Sequence, residues 1–123
     1  MSDPISFFEI PSRDFRRAVD FYQRVFQVEL AVAECETEKM AFFSGGPDKV
    51  PWGAISYGEG FLPSADGVLI HLKVPDIDAT LEAIEKNGGT VVCPKTKIEC
   101  EGMGSFALFR DCEGNRLGLH SLE

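Results

Sequence analysis

The hydrophobic positions change their spacing along the chain, and each change predicts the boundary of a structural element. The segment ISFFEI at residues 5–10 is rich in Ile and Phe and predicts a strand. Between residues 15 and 26, apolar positions recur every three or four residues, with Arg and Asp on the other side. This spacing predicts an amphipathic helix, and Asp14 is expected to be its N-cap. Further strands are expected at residues 28–33, 39–44 and 52–57, with a turn at 44–48.

The second half of the chain shows the same order of patterns. A strand is expected at residues 68–74, followed by a helix that Asp78 caps and that ends at Asn87-Gly88-Gly89. Strands are expected from residues 90, 105 and 116 onward, and a turn from Asp111 to Asn115 joins the last two. A connector at residues 58–67, which contains Gly and Pro, separates the two halves.

The segments ISFFEIPSRDF and LIHLKVPDIDA align at an offset of 64 residues, which places Pro11 on Pro75. This alignment also pairs Phe7 with His71 and Glu9 with Lys73, so that Glu9 and Lys73 are expected to meet across a pseudo-twofold axis. Two copies of one supersecondary unit predict an α+β fold. We expect two tandem βαβββ modules, at about 1–60 and 66–123, in a single domain. Curved mixed sheets with their helices outside would enclose a cavity.

Composition limits the classes of partner. The 123 residues include 12 Lys and Arg against 20 Asp and Glu, a net charge of −8, which disfavours nucleic acid as a partner. No apolar run has the length of a membrane span, and no leader pattern is evident, so a cytoplasmic location is expected. The four cysteines are not spaced as a metal site, and reduced thiols are expected: Cys35, Cys93, Cys100 and Cys112.

Two longer motifs resemble a known family. The segment SRDFRRAVDFYQRVFQ is similar to the first helix of the vicinal oxygen chelate superfamily, which includes glyoxalase I, extradiol dioxygenases and bleomycin- and fosfomycin-resistance proteins. The segments VPDIDATLEAIEKNGGTVV and GMGSFALFRDCEGNRLGLH are similar to its second βαβββ module. The resemblance covers nearly the whole chain and implies a twofold homodimer that binds a small molecule.

The resemblance also implies where a divalent metal would bind, because the family's ligands come from the first and last strand of each module. The matching positions here are Phe7, Ala54, His71 and Gly118, and of these side chains only the imidazole of His71 can bind a metal. We therefore expect no metal cofactor. The alternative is a non-standard divalent-metal site built from His71, His120 and Glu9.

Strand alternation predicts which side chains share the cavity. Phe7, Glu9 and Ser56 are expected on one face, and His71, Lys73 and His120 on the corresponding face of the other module. Large side chains near these strands could line or cover the cavity, or belong to an ordinary core: Trp52, Tyr57, Phe61 and Met103. The loop at residues 99–104 could close over a ligand or only connect two strands.

Three classes of function remain open from the sequence. The first is a glyoxalase-like protein that binds a small molecule without a metal. The second is a metal-dependent lyase, isomerase or dioxygenase. The third is a metal-independent enzyme that uses Glu9 or His71 for proton transfer. The expected partners are a small-molecule ligand and a second copy of the chain, with neither nucleic acid nor membrane.

Overall fold

The computed structural model describes residues 5–44 and 48–122, so most of the turn expected at 44–48 lies outside the described residues. The first half contains β1 (Phe8–Pro11), α1 (Phe15–Phe26), β2 (Ala31–Glu34), β3 (Lys39–Phe43) and β4 (Gly53–Tyr57). The second half contains β5 (His71–Lys73), α2 (Ile77–Lys86), β6 (Thr90–Lys97), β7 (Ser105–Arg110) and β8 (Arg116–Ser121). The predicted α+β class and the repeated β-α-β-β-β order are confirmed.

Each half forms its own mixed sheet, in the order β1-β4-β3-β2 and β5-β8-β7-β6. The pairs β1–β4 and β5–β8 are parallel, and the other neighbours are antiparallel. A parallel pair needs a crossover connection, and this part of the chain contains the helix. β1 and β5 are edge strands, so the two sheets do not close on each other within the chain.

The two helices pack side by side and bury their apolar faces in one core that both sheets share. In α1 the buried side chains recur at helical spacing, which explains why this segment forms a helix rather than a strand. They are Ala18, Val19, Phe21, Tyr22 and Val25. α2 contributes Ile77, Leu81 and Ile84. With 12 and 10 residues, neither helix is long enough to cross a membrane.

The turn between β7 and β8 packs against α1 from the other half. The phenol of Tyr22 donates a hydrogen bond of 2.7 Å to Asp111 Oδ2, which also accepts one of 3.1 Å from Asn115 Nδ2. Asn115 Nδ2 donates a further bond of 2.8 Å to the carbonyl of Pro11. Burial raises the pKa of Asp111, although the bonds from Tyr22 and Asn115 oppose that shift.

Glu113 in the same turn closes the N-terminus of α1. Its carboxylate accepts backbone N–H groups from Arg13 and, at 2.7 Å, from Asp14, and it pairs with the guanidinium of Arg17. The first N–H groups of a helix have no partner inside the helix, so an external acceptor stabilises its start. Desolvation opposes ionisation of Glu113, but the bonds from Asp14, Arg17 and Arg13 outweigh it and lower the pKa of the carboxyl group.

The helix caps correct the predicted alignment of the halves. Asp14 Oδ1 accepts the N–H of Arg17 at 3.1 Å, as expected, and the corresponding cap of α2 is Asp76, which accepts the N–H of Ala79 at 3.1 Å. The prediction that Asp78 caps α2 is therefore wrong, and Asp78 lies inside the first turn. The caps are 62 residues apart rather than 64.

The backbone hydrogen bonds of the parallel strands give the same correction. The N–H of Ser12 donates to the carbonyl of Ser56 at 2.9 Å, and the N–H of Val74 donates to that of His120 at 2.9 Å. Ser12 and Val74 are thus equivalent at an offset of 62, whereas Ser56 and His120 keep the offset of 64. The alignment of Pro11 with Pro75 gave the wrong offset for the first strands, because the two prolines are not structurally equivalent. Pro11 ends β1, whereas Pro75 lies beyond β5 in the turn before α2.

This shift changes which residues correspond. Leu69, and not His71, occupies the position equivalent to Phe7, and His71 is the equivalent of Glu9. The predicted pairing of Glu9 with Lys73 is also wrong within one chain, because the ion pairs between described residues do not include it. Glu9 instead bonds to Ser56, as described below.

Candidate functional site

Each sheet has one face against the helices and one face turned away from them, which we call the open face. In β5, Leu72 is buried toward the helices, whereas His71 and Lys73 are exposed on the open face. In the first sheet, Ile10 is buried and Glu9 is exposed on the opposite side. This alternation follows from the period of two in a β-strand. The open faces therefore carry the polar and titratable groups Glu9, His71 and Lys73.

The open face of the first sheet holds a fixed carboxylate. Ser56 Oγ donates a hydrogen bond of 2.7 Å to Glu9 Oε1. Ser56 is only 1% exposed, and Ala54, which pairs with Glu9 in the parallel ladder, is fully buried. Phe7 lies before the start of β1 with 46% of its surface exposed. The serine therefore orients Glu9 and leaves its second oxygen available as an acceptor.

On the open face of the second sheet, the imidazole of His71 lies against the backbone of Gly118. The two residues pair in the ladder between β5 and β8, and a Cβ added to Gly118 would lie 2.5 Å from Cε1 of His71. The edge of the ring meets Phe106 on β7, with centroids 6.3 Å apart and planes at 78°. Gly118 is thus the residue that makes room for the imidazole.

His120 holds the loop that precedes β7. Its Nε2 is 2.7 Å from the carbonyl oxygen of Met103, and a carbonyl can only accept, so Nε2 carries the proton. His120 pairs with Lys73 in one ladder and with Phe106 in the other, so the three share the open face. The loop at residues 99–104 is anchored there, and Met103 remains about half exposed.

The remaining large side chains lie elsewhere. Trp52 stacks on Phe43 at 5.0 Å and lies 5.6 Å from Phe8, so it is on the helix side of the first sheet and not beside Ser56. These aromatic rings border a cleft of about 700 Å³ that the end of α1, the start of α2 and the strand β5, with His71 and Lys73, also line. Tyr57 contacts Phe15 with ring centroids 6.5 Å apart.

The side chains at the family's ligand positions do not fit a divalent metal. With the corrected register the four positions are Glu9, Ala54, His71 and Gly118. Ala54 and Gly118 offer no donor atom, and the ring of His71 fills the space into which a side chain at position 118 would project. Within the described ranges, no three His, Cys, Asp or Glu side chains converge on one point. The alternative triad of His71, His120 and Glu9 is therefore not assembled inside a single chain.

The cysteines described by the structure are unpaired, and Cys112 is held as a thiol. Burial and the nearby charge of Asp111 raise the pKa of Cys112 to about 12. A thiol with such a pKa is a poor nucleophile at neutral pH, as the acidic sequence around Cys112 predicts.

Two features of the open faces were not predicted from the sequence. The first is that Phe106 and Leu108 lie beside His120 and Gly118 on the open face. The alternation of SFALFR could have indicated this, because Ala107 and Phe109 face the core and the residues between them must face the other way. The equivalence of Glu9 with His71 was hidden by the Pro alignment.

Comparison with known proteins identifies the family of this chain. The family model of the Glyoxalase/Bleomycin resistance protein/Dioxygenase superfamily matches residues 5–119. A glyoxylase-like domain-containing protein of Didymella fabae is 33% identical over 115 residues, which cover 90% of this chain and 88% of that protein.

Solved structures show the same fold at lower identity. A glyoxylase/bleomycin resistance protein/dioxygenase domain from Frankia sp. EAN1pec has a TM-score of 0.73 at 16% identity and covers 98% of both chains. The fosfomycin resistance protein FosX of Listeria monocytogenes, as an E126Q mutant with Mn(II) and 1S,2S-dihydroxypropylphosphonic acid, has a TM-score of 0.70 at 20% identity, with 98% of this chain and 93% of that chain covered.

Glyoxalase I from Zea mays, as the E144Q mutant, has a TM-score of 0.74 at 16% identity; 94% of this chain matches 46% of that chain, so this chain spans about half of it. The matched family model covers most of the sequence, and the two βαβββ halves have the expected order and pairing. The chain therefore belongs to the Glyoxalase/Bleomycin resistance protein/Dioxygenase superfamily.

Proposed function

We propose that this protein binds a small organic molecule on the open faces of its sheets, and that binding does not use the metal site of the superfamily's metal-dependent members. The observation that carries the proposal is the imidazole of His71 lying over Gly118. A carboxylate at position 118 and the present position of His71 exclude each other sterically. The site residues of the proposal are Phe7, Glu9, Ser56, His71, Lys73, Met103 and His120.

The superfamily supports a small-molecule ligand rather than a macromolecule. FosX, which shares the fold, is known with a dihydroxypropylphosphonic acid bound. The open faces here combine aromatic surface with a few oriented polar groups, which is the usual composition of a ligand site. The net charge of −8 opposes binding to nucleic acid.

A second candidate is an enzyme that transfers protons without a metal, and the contact between Glu9 and Ser56 favours it. A carboxylate that a neighbouring hydroxyl orients is placed to accept a proton from a ligand carbon or hydroxyl. His71 is the alternative proton-transfer residue, and it borders a different cleft. Solvent-exchange NMR of a bound ligand distinguishes this candidate, because only an enzyme labels the ligand carbon with deuterium.

We further propose that two chains associate as a twofold homodimer in a reducing cytoplasm. β1 and β5 are edge strands, so each has one side with no strand partner among the described residues. Exposed apolar side chains precede both strands. Ile5 is 77% exposed, Phe7 46% and Val68 89%. Association would cover these edges and this apolar surface, and twofold dimers are the commonest soluble assemblies.

The test is a ligand screen with protein dialysed against EDTA. Ligand-detected NMR would be run with small carboxylic acids, phenols and neutral aromatics, on wild type and on two variants. Gly118→Val displaces the ring of His71, and Ala83→Leu narrows the helix end of the cleft that His71 also borders. We expect binding without metal that Gly118→Val abolishes and Ala83→Leu preserves. The reverse pattern, or binding that appears only when Mn²⁺ is added, would overturn the proposal.

A further inference from the structure

We infer that the open face of the second sheet binds an anionic group of the ligand, with Lys73 supplying the charge and Phe106 the adjacent apolar surface. The inference rests on the proposed function and narrows the ligand class. That class is a carboxylate, phosphonate, phosphate or sulfonate carried on an apolar or aromatic body.

The first observation is the charge of the second sheet. Its four strands contain five Lys and Arg residues, both histidines of the chain and no Asp or Glu. The chain as a whole has a net charge of −8, so the strands of the second sheet are basic in a protein that is acidic overall. The five cationic residues are Lys73, Lys95, Lys97, Arg110 and Arg116. By strand alternation Lys73, Arg110 and Arg116 share the open face, whereas Lys97 pairs with Ser105 on the other face.

The second observation is where Lys73 lies within that sheet. The ladders pair it with His120, and His120 in turn pairs with Phe106, so an ammonium group and an aromatic ring share one face. His71 lies beside them, with its ring against that of Phe106. A ligand with one anionic end and one flat apolar end matches this arrangement.

The third observation is that Lys73 forms no ion pair with another described residue, although Asp76 borders the same cleft. The ion pairs between described residues join Arg17 to Glu113, Lys39 to Glu34 and Lys86 to Glu82, and none involves Lys73. Glu9, on the open face of the first sheet, takes its hydrogen bond from Ser56 and borders the same small cleft as Arg116.

Because salt screens distant charges, the charges close to a bound anion affect its binding more than the net charge of the protein does. At physiological ionic strength the Debye length is about 8 Å, so acidic side chains farther than this from Lys73 act weakly on an anion bound there. The ammonium group acts on that anion at contact distance beside apolar surface, where the interaction is stronger than in open water.

The experiment compares two dyes with similar ring systems. 8-Anilinonaphthalene-1-sulfonate carries an anionic group, and N-phenyl-1-naphthylamine is its uncharged counterpart. Fluorescence titrations would use wild type, Lys73→Met and the matched control Lys86→Met, whose lysine is on α2. Near-ultraviolet circular dichroism checks that all three proteins are folded.

We expect wild type to bind the sulfonate more tightly than the neutral dye. Lys73→Met should lower the affinity for the sulfonate on the order of threefold to fivefold, as for one partly screened charge pair. The neutral dye should bind both proteins equally, and Lys86→Met should resemble wild type. Equal affinity of wild type for the two dyes, or equal losses in both lysine variants, would overturn the inference.

Gly118→Val separates this inference from the proposed function. If it abolishes binding of the neutral dye while wild type shows no preference for the sulfonate, the open-face site stands and the anion inference fails. If it leaves binding of both dyes intact, the proposed site itself is wrong.

Discussion

The phenolic hydroxyl of Tyr22, on α1, donates a hydrogen bond of 2.7 Å to Asp111, in the turn between β7 and β8. Both residues belong to the motifs that resemble the superfamily, and both are buried. Their contact joins the helix of the first half to the last hairpin of the second half. These motif residues therefore hold the two halves together, and the open faces lie elsewhere.

Tyr22→Phe is expected to destabilise the protein by about 1–3 kcal/mol, because the buried carboxylate of Asp111 loses one of its donors. Urea unfolding monitored by circular dichroism measures the change. Tyr57→Phe is the matched control, since Tyr57 is 37% exposed, and it should stay within about 0.5 kcal/mol of wild type. Equal stability of Tyr22→Phe and wild type would show that the hydrogen bond contributes nothing net.

Glu113→Gln is expected to cost about 1.5–3 kcal/mol near neutral pH, because the carboxylate bonds to the start of α1 and to Arg17 are lost. The folded-state pKa of Glu113 is lowered below the ordinary value of 4.5. Its stabilisation is therefore fully present above that value and is lost as the pH falls through the folded-state pKa.

The unfolding free energies of wild type and Glu113→Gln should thus converge as the pH is lowered below about 4.5. The raised pKa of Asp111 has the opposite effect, since ionisation of that group lowers stability as the pH rises, but it is common to both proteins and cancels in the difference. A difference that is constant between pH 3 and 7 would contradict this account of Glu113.

The elements could be predicted from the sequence because their hydrophobic periods are clear. The stripe through Val19, Tyr22 and Val25 specifies α1, and the alternation of SFALFR specifies β7. Strand ends were less predictable: β5 begins at His71 and not at residue 68. Whether a residue at a sheet edge pairs depends on a neighbour distant in sequence, which local pattern does not contain.

The register between the halves could not be predicted, and this affected the site. Both Asp76 and Asp78 are chemically good helix caps, and only the backbone geometry selects Asp76. The predicted equivalence of Phe7 with His71 failed for this reason. His71, Lys73 and His120 do share one face of the second sheet, because that relation depends only on alternation within one sheet.

The proposed dimer predicts a molar mass in solution of twice the 13.6 kDa of one chain. Light scattering after gel filtration, at several micromolar concentrations, measures it. Phe7→Asp should shift the equilibrium toward monomer, because it places a charge on the apolar surface before β1. A wild-type monomer at every concentration would refute the proposed assembly.

The central claim, that His71 and Gly118 replace the superfamily's metal site, is tested most directly by metal content. Purified protein would be exposed separately to Zn²⁺, Ni²⁺, Mn²⁺ and Fe²⁺, freed of unbound ions by gel filtration and submitted to elemental analysis beside His71→Ala. We predict no stoichiometric metal in either protein, because the ring of His71 fills the space of a ligand at position 118. One metal ion per chain in wild type, absent from His71→Ala, would contradict the claim.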